Sequence, residues 1–238
     1  MNARTYQLDP QAARDANSGG RRITEAGAIA GKITQAWHER NDRGTEAFVF
    51  SFEANNGQTA GPIALYTHNG KGEDLPSFDT VCSLLACLRL RGIRPAPGKV
   101  TVYDYDTQQD VTKPKDVYPE LAGKAIGVLF RLEEYVKQRG QSAGEVGTRL
   151  VVHGFYDPAT TLMAGEILDQ AREPKQYARE LAYVEANPVK KLKGGGTGAR
   201  GGAPNRDRPD TAHANQQGAF VDDFADDDIP FVSDRGLF

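Results

Sequence analysis

Apolar and polar residues alternate over much of the first third of the chain, which predicts β-strands. Residues 28–38 and 45–54 both alternate in this way, and the second run places three phenylalanines on one face that we expect to lie in the core. Asn55-Asn-Gly57 favours a hairpin turn, because Asn and Gly tolerate a positive φ. A third strand over residues 63–66 would complete an antiparallel meander.

The pattern changes to that of an amphipathic helix over residues 77–91. Apolar side chains recur there at intervals of three and four, Ser77 is placed to cap the N-terminus, and Gly92 follows the end. The two cysteines, Cys82 and Cys87, lie within this segment. Their spacing fits no common metal site, so we expect both to be core residues in a reducing compartment.

Strand patterns return after the helix. Residues 99–106 predict a fourth strand, residues 113–115 a loop, and residues 125–137 and 148–156 a long hairpin. Residues 159–186 have a helical composition that is interrupted by one proline. A β-sandwich has similar strand spacing but rarely contains such a helix between its strands. The order therefore favours a mainly β fold, an OB-like small closed β-barrel with one intervening helix and a C-terminal helical segment.

Composition divides the chain into four segments. Residues 1–20 are polar and end in Ser-Gly-Gly, which predicts a flexible N-terminal arm, and residues 21–188 contain the foldable domain. Residues 189–219 are rich in glycine and cannot bury enough apolar area to offset the entropy of ordering them, so we expect a disordered linker. Residues 220–238 form a tail. No apolar run has the length of a membrane span, and we expect a cytoplasmic protein.

Charge is distributed unevenly along these segments. The formal net charge of −3 would argue against a nucleic-acid-binding protein. Residues 189–219, however, hold six basic residues against two acidic ones, and residues 220–238 hold one basic residue against six acidic ones. The charge of the whole chain is therefore a poor guide to what its folded domain binds.

Aromatic and aliphatic residues are set among aspartates in the tail. Residues 220–231 read Phe-Val-Asp-Asp-Phe-Ala-Asp-Asp-Asp-Ile-Pro-Phe. The last six of these resemble the acidic tip of bacterial and phage single-stranded DNA-binding proteins, a family in which the tip recruits replication and repair enzymes. The resemblance implies a partner-binding set in the tail, comprising Phe224, Asp226, Asp227, Asp228, Ile229, Pro230, Phe231 and Phe238.

The tail differs from that family at its end. The Ile-Pro-Phe of bacterial members is the chain terminus, and its carboxylate takes part in docking, whereas residues 232–238 follow it here. Either Phe231 docks as an internal residue, or Phe238 supplies the terminal aromatic ring and carboxylate. An acidic, solubilising tail with chance aromatic residues is the alternative.

A second resemblance lies near the N-terminus. Residues 23–38, followed by Gly44-Thr-Glu-Ala-Phe-Val-Phe and Gly57-Gln, are similar to the opening of small phage-encoded proteins from replication and recombination gene clusters. The similarity extends over about residues 20–95, and those proteins are expected to have an OB fold. It implies a phage-type protein that acts in the cytoplasm of the host cell.

Binding of a single strand without reading its sequence requires cations along the phosphates and aromatic faces for the bases. Residues 99–106 would present two tyrosines outward if the valines between them point inward, although cross-strand packing is equally compatible. The only tryptophan lies beside a cationic turn, where it could instead plug the end of a barrel. The candidate DNA-binding residues are Lys32, Trp37, Arg40, Tyr103, Tyr105, Lys113, Lys115, Arg131, Tyr135 and Lys137.

The residues that support catalysis in other proteins are not arranged for it here. The four histidines show no metal-ligand spacing, and the adjacent Glu133 and Glu134 would point to opposite faces of a strand. The glycine-rich residues 194–198 lack the Lys-Ser/Thr ending of a phosphate loop. We therefore expect neither an enzyme, nor a metal site, nor a cofactor.

Together with these patterns, the two resemblances imply a protein that coats single-stranded DNA in replication or recombination and recruits partner enzymes through its tail. An adaptor β-barrel that binds no DNA and a strand-annealing recombination protein are the alternatives. The net charge of the tail suggests that it also competes with DNA for the binding groove on the domain. An unprotected barrel edge could pair two chains into a homo-oligomer.

Overall fold

The strands form one mainly antiparallel sheet. A computed structural model describes residues 7–8, 22–104, 109–137 and 143–192 of the chain, and residues up to Lys191 belong to one compact unit. The strands in this part of the chain are β1 (Gly27–Arg40), β2 (Glu46–Ala54), β3 (Thr59–His68), β4 (Ala96–Asp104), β5 (Gln109–Val117), β6 (Ala125–Val136), β7 (Val146–Tyr156) and β8 (Val189–Lys190).

Helices occupy three places in the described ranges. They are α1 (Pro76–Cys87), between β3 and β4, and α2 (Ala164–Leu168) and α3 (Lys175–Ala186), which follow β7. A short 3-10 turn, Pro119–Leu121, joins β5 to β6. None of these helices has the length and apolar character needed to cross a membrane.

Strand β1 connects the two parts of the sheet. β2 pairs along one of its edges and is itself paired with β3. Two strands pair along the other edge of β1: β6 with its N-terminal half and β5 with its C-terminal half. β5 pairs in turn with β4. β6 pairs in turn with β7 and, in parallel, with the short β8.

A β-bulge in β1 changes which side chains face the core. Ile33 is opposite Phe52, but Gln35 is opposite Ser51, so Thr34 is an extra residue. Because an extra residue moves the following side chains to the other face of the sheet, Ile33 and Ala36 lie in the same core while Trp37 lies on the opposite side.

The sheet curls around its main core. The rings of Phe50 in β2 and Phe155 in β7 have centroids 6.0 Å apart, although β1 and β6 lie between their strands. Three strand spacings of about 4.8 Å would separate the two residues in a flat sheet. α1 packs against both β3 and β7, with Leu84 fully buried, and no ladder joins those two strands in the described ranges. Phe48, Phe50 and Phe52 are all in this core, as their alternation predicted.

The outer, convex face of the sheet is covered in two places. The β4–β5 hairpin lies over β1 and β2, where Val100 packs with Trp37 and Val49. α3 lies over β1 and β6, where Val184 packs with Leu129. The chain thus has one core inside the curved sheet and two smaller clusters outside it.

A side-chain amide fixes the β4–β5 hairpin to β1. The Nε2 of Gln35 donates to the carbonyl oxygen of Thr101 at 3.2 Å, and its Oε1 accepts the N–H of Thr101 at 2.8 Å. Both backbone groups of Thr101 are therefore satisfied at an edge where no strand pairs with β4.

Residues 113–115 form part of β5, so the predicted loop is wrong. Lys-Pro-Lys reads as a strand breaker because proline lacks an N–H. Here β5 pairs with β4 along its length but with β1 only at Asp116 and Val117. One edge of β5 therefore has no ladder partner at Pro114, and the missing N–H is tolerated.

The ends and the buried stripe of the helix also differ from the prediction. α1 begins at Pro76, with Leu75 rather than Ser77 as the N-cap, and ends at Cys87. The buried stripe runs through Leu84 and Cys87, so Cys82 is exposed and is not a core residue. Burial is the main cause that raises the pKa of the Cys87 thiol to about 12.

Leu84→Ala should lower the free energy of unfolding by about 2–5 kcal/mol, because it leaves a cavity between α1 and the curved sheet. Cys82→Ala, an exposed change in the same helix, should alter it by less than about 0.5 kcal/mol. Urea denaturation of both variants measures the difference. Equal, small effects would show that α1 is not a structural part of the core.

Candidate nucleic-acid interface

The candidate DNA-binding residues do not all lie together. Tyr105 lies outside the described residues, as does the whole tail. The others fall on three parts of the sheet. These are β1 with Lys32, Trp37 and Arg40, the β4–β5 hairpin with Tyr103, Lys113 and Lys115, and β6 and its end with Arg131, Tyr135 and Lys137.

Trp37 is a packing residue. Its side chain is only 2% exposed and lies in the cluster formed with Val49 and Val100. Its Nε1 is 3.4 Å from an oxygen of Glu39, to which it donates. The ring has no face open to a base in this structure, so its position supports the packing alternative and does not support a stacking role.

Lys32 lies near the middle of β1 and Arg40 at its C-terminal end. Lys32 is exposed and forms an ion pair with Glu53 on β2, with 3.3 Å between the charged atoms. Arg40 is exposed at the last position of the strand. Eight residues of extended strand correspond to roughly 26 Å, so the two cations do not form a cluster.

Tyr103 and the two lysines lie on opposite faces of the β4–β5 hairpin. Tyr103 is 47% exposed and lies on the outward face. Lys113 and Lys115 are opposite Val100 and Gly98, and directly paired residues share a face. The lysines therefore point toward the body of the domain, where Lys115 is 2.7 Å from Glu39. A basic loop that closes over DNA is not present here.

The β6–β7 hairpin brings the third group of candidates to one face. Arg131, Glu133 and Tyr135 alternate along the outer side of β6, and Lys137 follows them. Arg149 on β7 is directly opposite Glu133. We use the term hairpin face for the surface formed by Arg131, Glu133, Tyr135, Lys137 and Arg149.

The C-terminal segments add two residues to the hairpin face that the sequence analysis missed. Tyr183 of α3 is 47% exposed, and the Arg131 guanidinium lies 5.0 Å from its ring centroid. The His153 ring stacks against it at 5.4 Å with an interplanar angle of 23°. Tyr183 lies outside the apolar stripe of α3, and an aromatic residue off the stripe of an amphipathic helix is a signal that could have revealed it.

Lys190 is the second added residue, and Glu133 connects it to Arg149. Arg149 donates from Nε and Nη2 to one oxygen of Glu133, at 3.0 and 2.7 Å, and Lys190 donates to the other. Burial acts to raise the pKa of Glu133, but the hydrogen bonds from Lys190 and Arg149 outweigh it and hold that pKa below its usual value. Arg149 also lies over the Tyr135 ring, 5.8 Å from its centroid.

Arg131 and the backbone of β6 hold the C-terminal segment in place. The Nε of Arg131 donates to the carbonyl oxygen of Asn187 at 2.9 Å, and the N–H of Leu132 donates to that of Pro188 at 2.9 Å. β8 then pairs with Leu132 and Glu133 of β6, on the same edge as β1 and just beyond the last residue of β6 that β1 pairs with. The hairpin face is therefore assembled from β6, β7, α3 and β8.

The described ranges contain no group of three or more His, Cys, Asp or Glu side chains placed to hold a metal ion. Searches against protein-family models and against curated proteins give no match to this chain. The hairpin face and the sequence of the tail are therefore the features that indicate a function.

The low pKa of Glu133 makes its contribution to stability depend on pH. Because the folded state holds this pKa below the usual value of 4.5, the contribution is present above pH 4.5 and is lost as the pH falls through the lower, folded value. The melting temperature of wild type should exceed that of Glu133→Gln at pH 7, and the difference should shrink below pH 4.5. Glu134→Gln is the control, and a difference that stays constant with pH would contradict the assignment.

Proposed function

We propose that this protein binds single-stranded DNA in replication or recombination, without reading its sequence, and recruits partner proteins through its acidic tail. The hairpin face would be the principal contact with DNA. It combines the two components that such binding requires, aromatic rings accessible from solvent and cations beside them.

The surroundings of Tyr183 support this proposal most directly. Its ring is half exposed, with the Arg131 guanidinium and the His153 ring against it. A base that stacks on the exposed part of this ring would have a cation within reach of its phosphate. Tyr135, half-buried beside Arg149, offers a second ring on the same surface.

We also propose that the curved sheet is an OB-like barrel. Three features support this assignment: the curl that brings β2 and β7 into contact, the single helix between β3 and β4, and the packing of that helix against both β3 and β7. In this arrangement α1 would close the barrel where the two edge strands do not pair.

The tail would supply the second activity. Its resemblance to the tips of single-stranded DNA-binding proteins extends over residues 226–231, and the aspartates would direct it to basic pockets on partner proteins. Phe231 and Phe238 are separate candidates for the docking ring.

One observation favours the alternative of an adaptor that binds no DNA. Several cations of the hairpin face are paired with carboxylates, since Glu133 binds Arg149 and Lys190, and Lys137 is 3.2 Å from Glu145. Such pairing reduces the positive potential that attracts a polyanion. Binding measurements at several salt concentrations separate the two functions, because release of counterions is expected only when DNA binds.

Wild type should bind a fluorescent oligo-dT in preference to a duplex of the same length, with an affinity that falls as salt rises. Tyr183→Ala should weaken binding by about 1–3 kcal/mol, the contribution of one stacked base. Fluorescence anisotropy measures both results.

Tyr183→Phe is the matched control, because it keeps the ring and should keep the affinity. Lys175→Gln, in the exposed first turn of α3, controls for loss of a charge outside the hairpin face. If wild type does not bind oligo-dT even in low salt, the adaptor becomes the better assignment.

Deletion of residues 220–238 should tighten binding to oligo-dT, most strongly in low salt. The deleted segment has six acidic residues and one basic residue, and its tether gives it a millimolar effective concentration near the domain. A titration with and without the tail measures the change. The same affinity for both proteins would exclude competition between the tail and DNA.

A further inference from the structure

Glu133 lies at the centre of the hairpin face, between two cations. Arg149 reaches it from β7 through two nitrogens, and Lys190 reaches it from β8. The carboxylate side chain is only 16% exposed, whereas those of Arg149 and Lys190 are 37% and 62% exposed. The cations are therefore open to solvent on the side away from the acid that binds them.

Such a pair of cations also suits a phosphate group. Arginine presents its donors in a fork that fits two oxygens of one anion, and lysine adds a compact charge beside it. A carboxylate and a phosphodiester both offer two oxygens to this arrangement. The structure thus places a largely covered acid where a partly exposed arginine and an exposed lysine converge, and a phosphate could take over its role.

Aromatic rings flank these cations. Tyr135 is two residues beyond Glu133 on β6, and Arg131, whose guanidinium lies over Tyr183, is two residues before it. Two residues of a strand rise by roughly 6.8 Å. Along the surface, an aromatic ring is therefore followed by the charged group and then by a second aromatic ring. Two stacked bases of a DNA strand, with a phosphate between them, would require this order.

We propose that Arg149 and Lys190 form a phosphate subsite for single-stranded DNA, and that the Glu133 carboxylate occupies this subsite when no DNA is bound. The inference rests on the proposed function and specifies how the hairpin face is regulated. When a phosphodiester binds, Arg149 and Lys190 exchange an internal carboxylate for a phosphate. Because the carboxylate cancels one of the two positive charges, the pair neutralises about one phosphate charge fewer than it would without the acid, and the salt dependence of binding is weaker.

Removal of the carboxylate tests this exchange. In Glu133→Gln, both positive charges of Arg149 and Lys190 are available to neutralise phosphate and to displace the cations condensed on the DNA. Each phosphate neutralised in a single strand contributes about 0.7 to the slope of log K against log salt, so removal of one negative charge should make the slope steeper by about 0.7. Binding of oligo-dT should become about fivefold tighter or more in low salt.

Two further variants complete the experiment. Glu134→Gln removes the same charge from the adjacent residue, whose side chain lies on the other face of the strand, and should leave the slope unchanged. Lys190→Gln, combined with Glu133→Gln, should reduce the slope by about 0.7 and so return it to about the wild-type value. Glu133→Thr, which suits a strand, provides a second way to remove the carboxylate if Glu133→Gln folds poorly.

The outcomes distinguish the inference from the proposed function. If wild type binds oligo-dT but Glu133→Gln has the slope of Glu134→Gln, or binds more weakly than wild type, the phosphate subsite is wrong while DNA binding stands. If neither wild type nor any of these variants binds oligo-dT, the proposed function itself is wrong. A steeper slope in Glu133→Gln that depends on Lys190 supports the subsite.

Discussion

The contact between Phe50 and Phe155 is the constraint on which the rest of the structure depends. It requires β2 and β7 to approach each other across two intervening strands, and so it fixes how strongly the sheet curls. Glycine permits this curl at Gly31, where a Cβ atom would lie 2.6 Å from the Phe52 ring. With that space free, Phe52 reaches past β1 to Phe130, and their centroids are 5.7 Å apart.

The curl of the sheet also determines where polar and charged side chains can lie. The concave side is filled by aromatic and aliphatic side chains and by α1, so polar and charged groups are left to the convex side. On that side, the β4–β5 hairpin and α3 cover most of β1. Beyond Phe130, β6 and β7 continue past the start of β1, and there the outer surface carries arginine, glutamate and tyrosine. The candidate interface therefore lies on the part of the β6–β7 hairpin that extends beyond the main core.

Local patterns predicted the fold better than the site. Local periodicity and turn chemistry were sufficient for the first three strands, the long hairpin, the existence of α1 though not its ends or buried stripe, and the break before α3, because these depend on neighbouring residues. The face on which Trp37 lies was not predictable, since one extra residue, Thr34, moves it from the side of Ile33 to the outer side, where Val100 of the β4–β5 hairpin packs against it. The partners of Glu133 and Arg131 come from elements far apart in the chain, and no local pattern indicates that Lys190 or Tyr183 will reach β6.

Strand β2 is buried on both of its faces. Phe48, Phe50 and Phe52 pack on its inner side, Ala47 and Val49 on its outer side, and β1 and β3 pair with its two edges. Its amide hydrogens can reach water only when the whole domain opens, whereas the far end of the β6–β7 hairpin can open alone. Hydrogen exchange of the β2 amides would therefore report the free energy of global unfolding. Exchange of the amides at the end of the β6–β7 hairpin would report the free energy of local opening at the proposed DNA-binding surface.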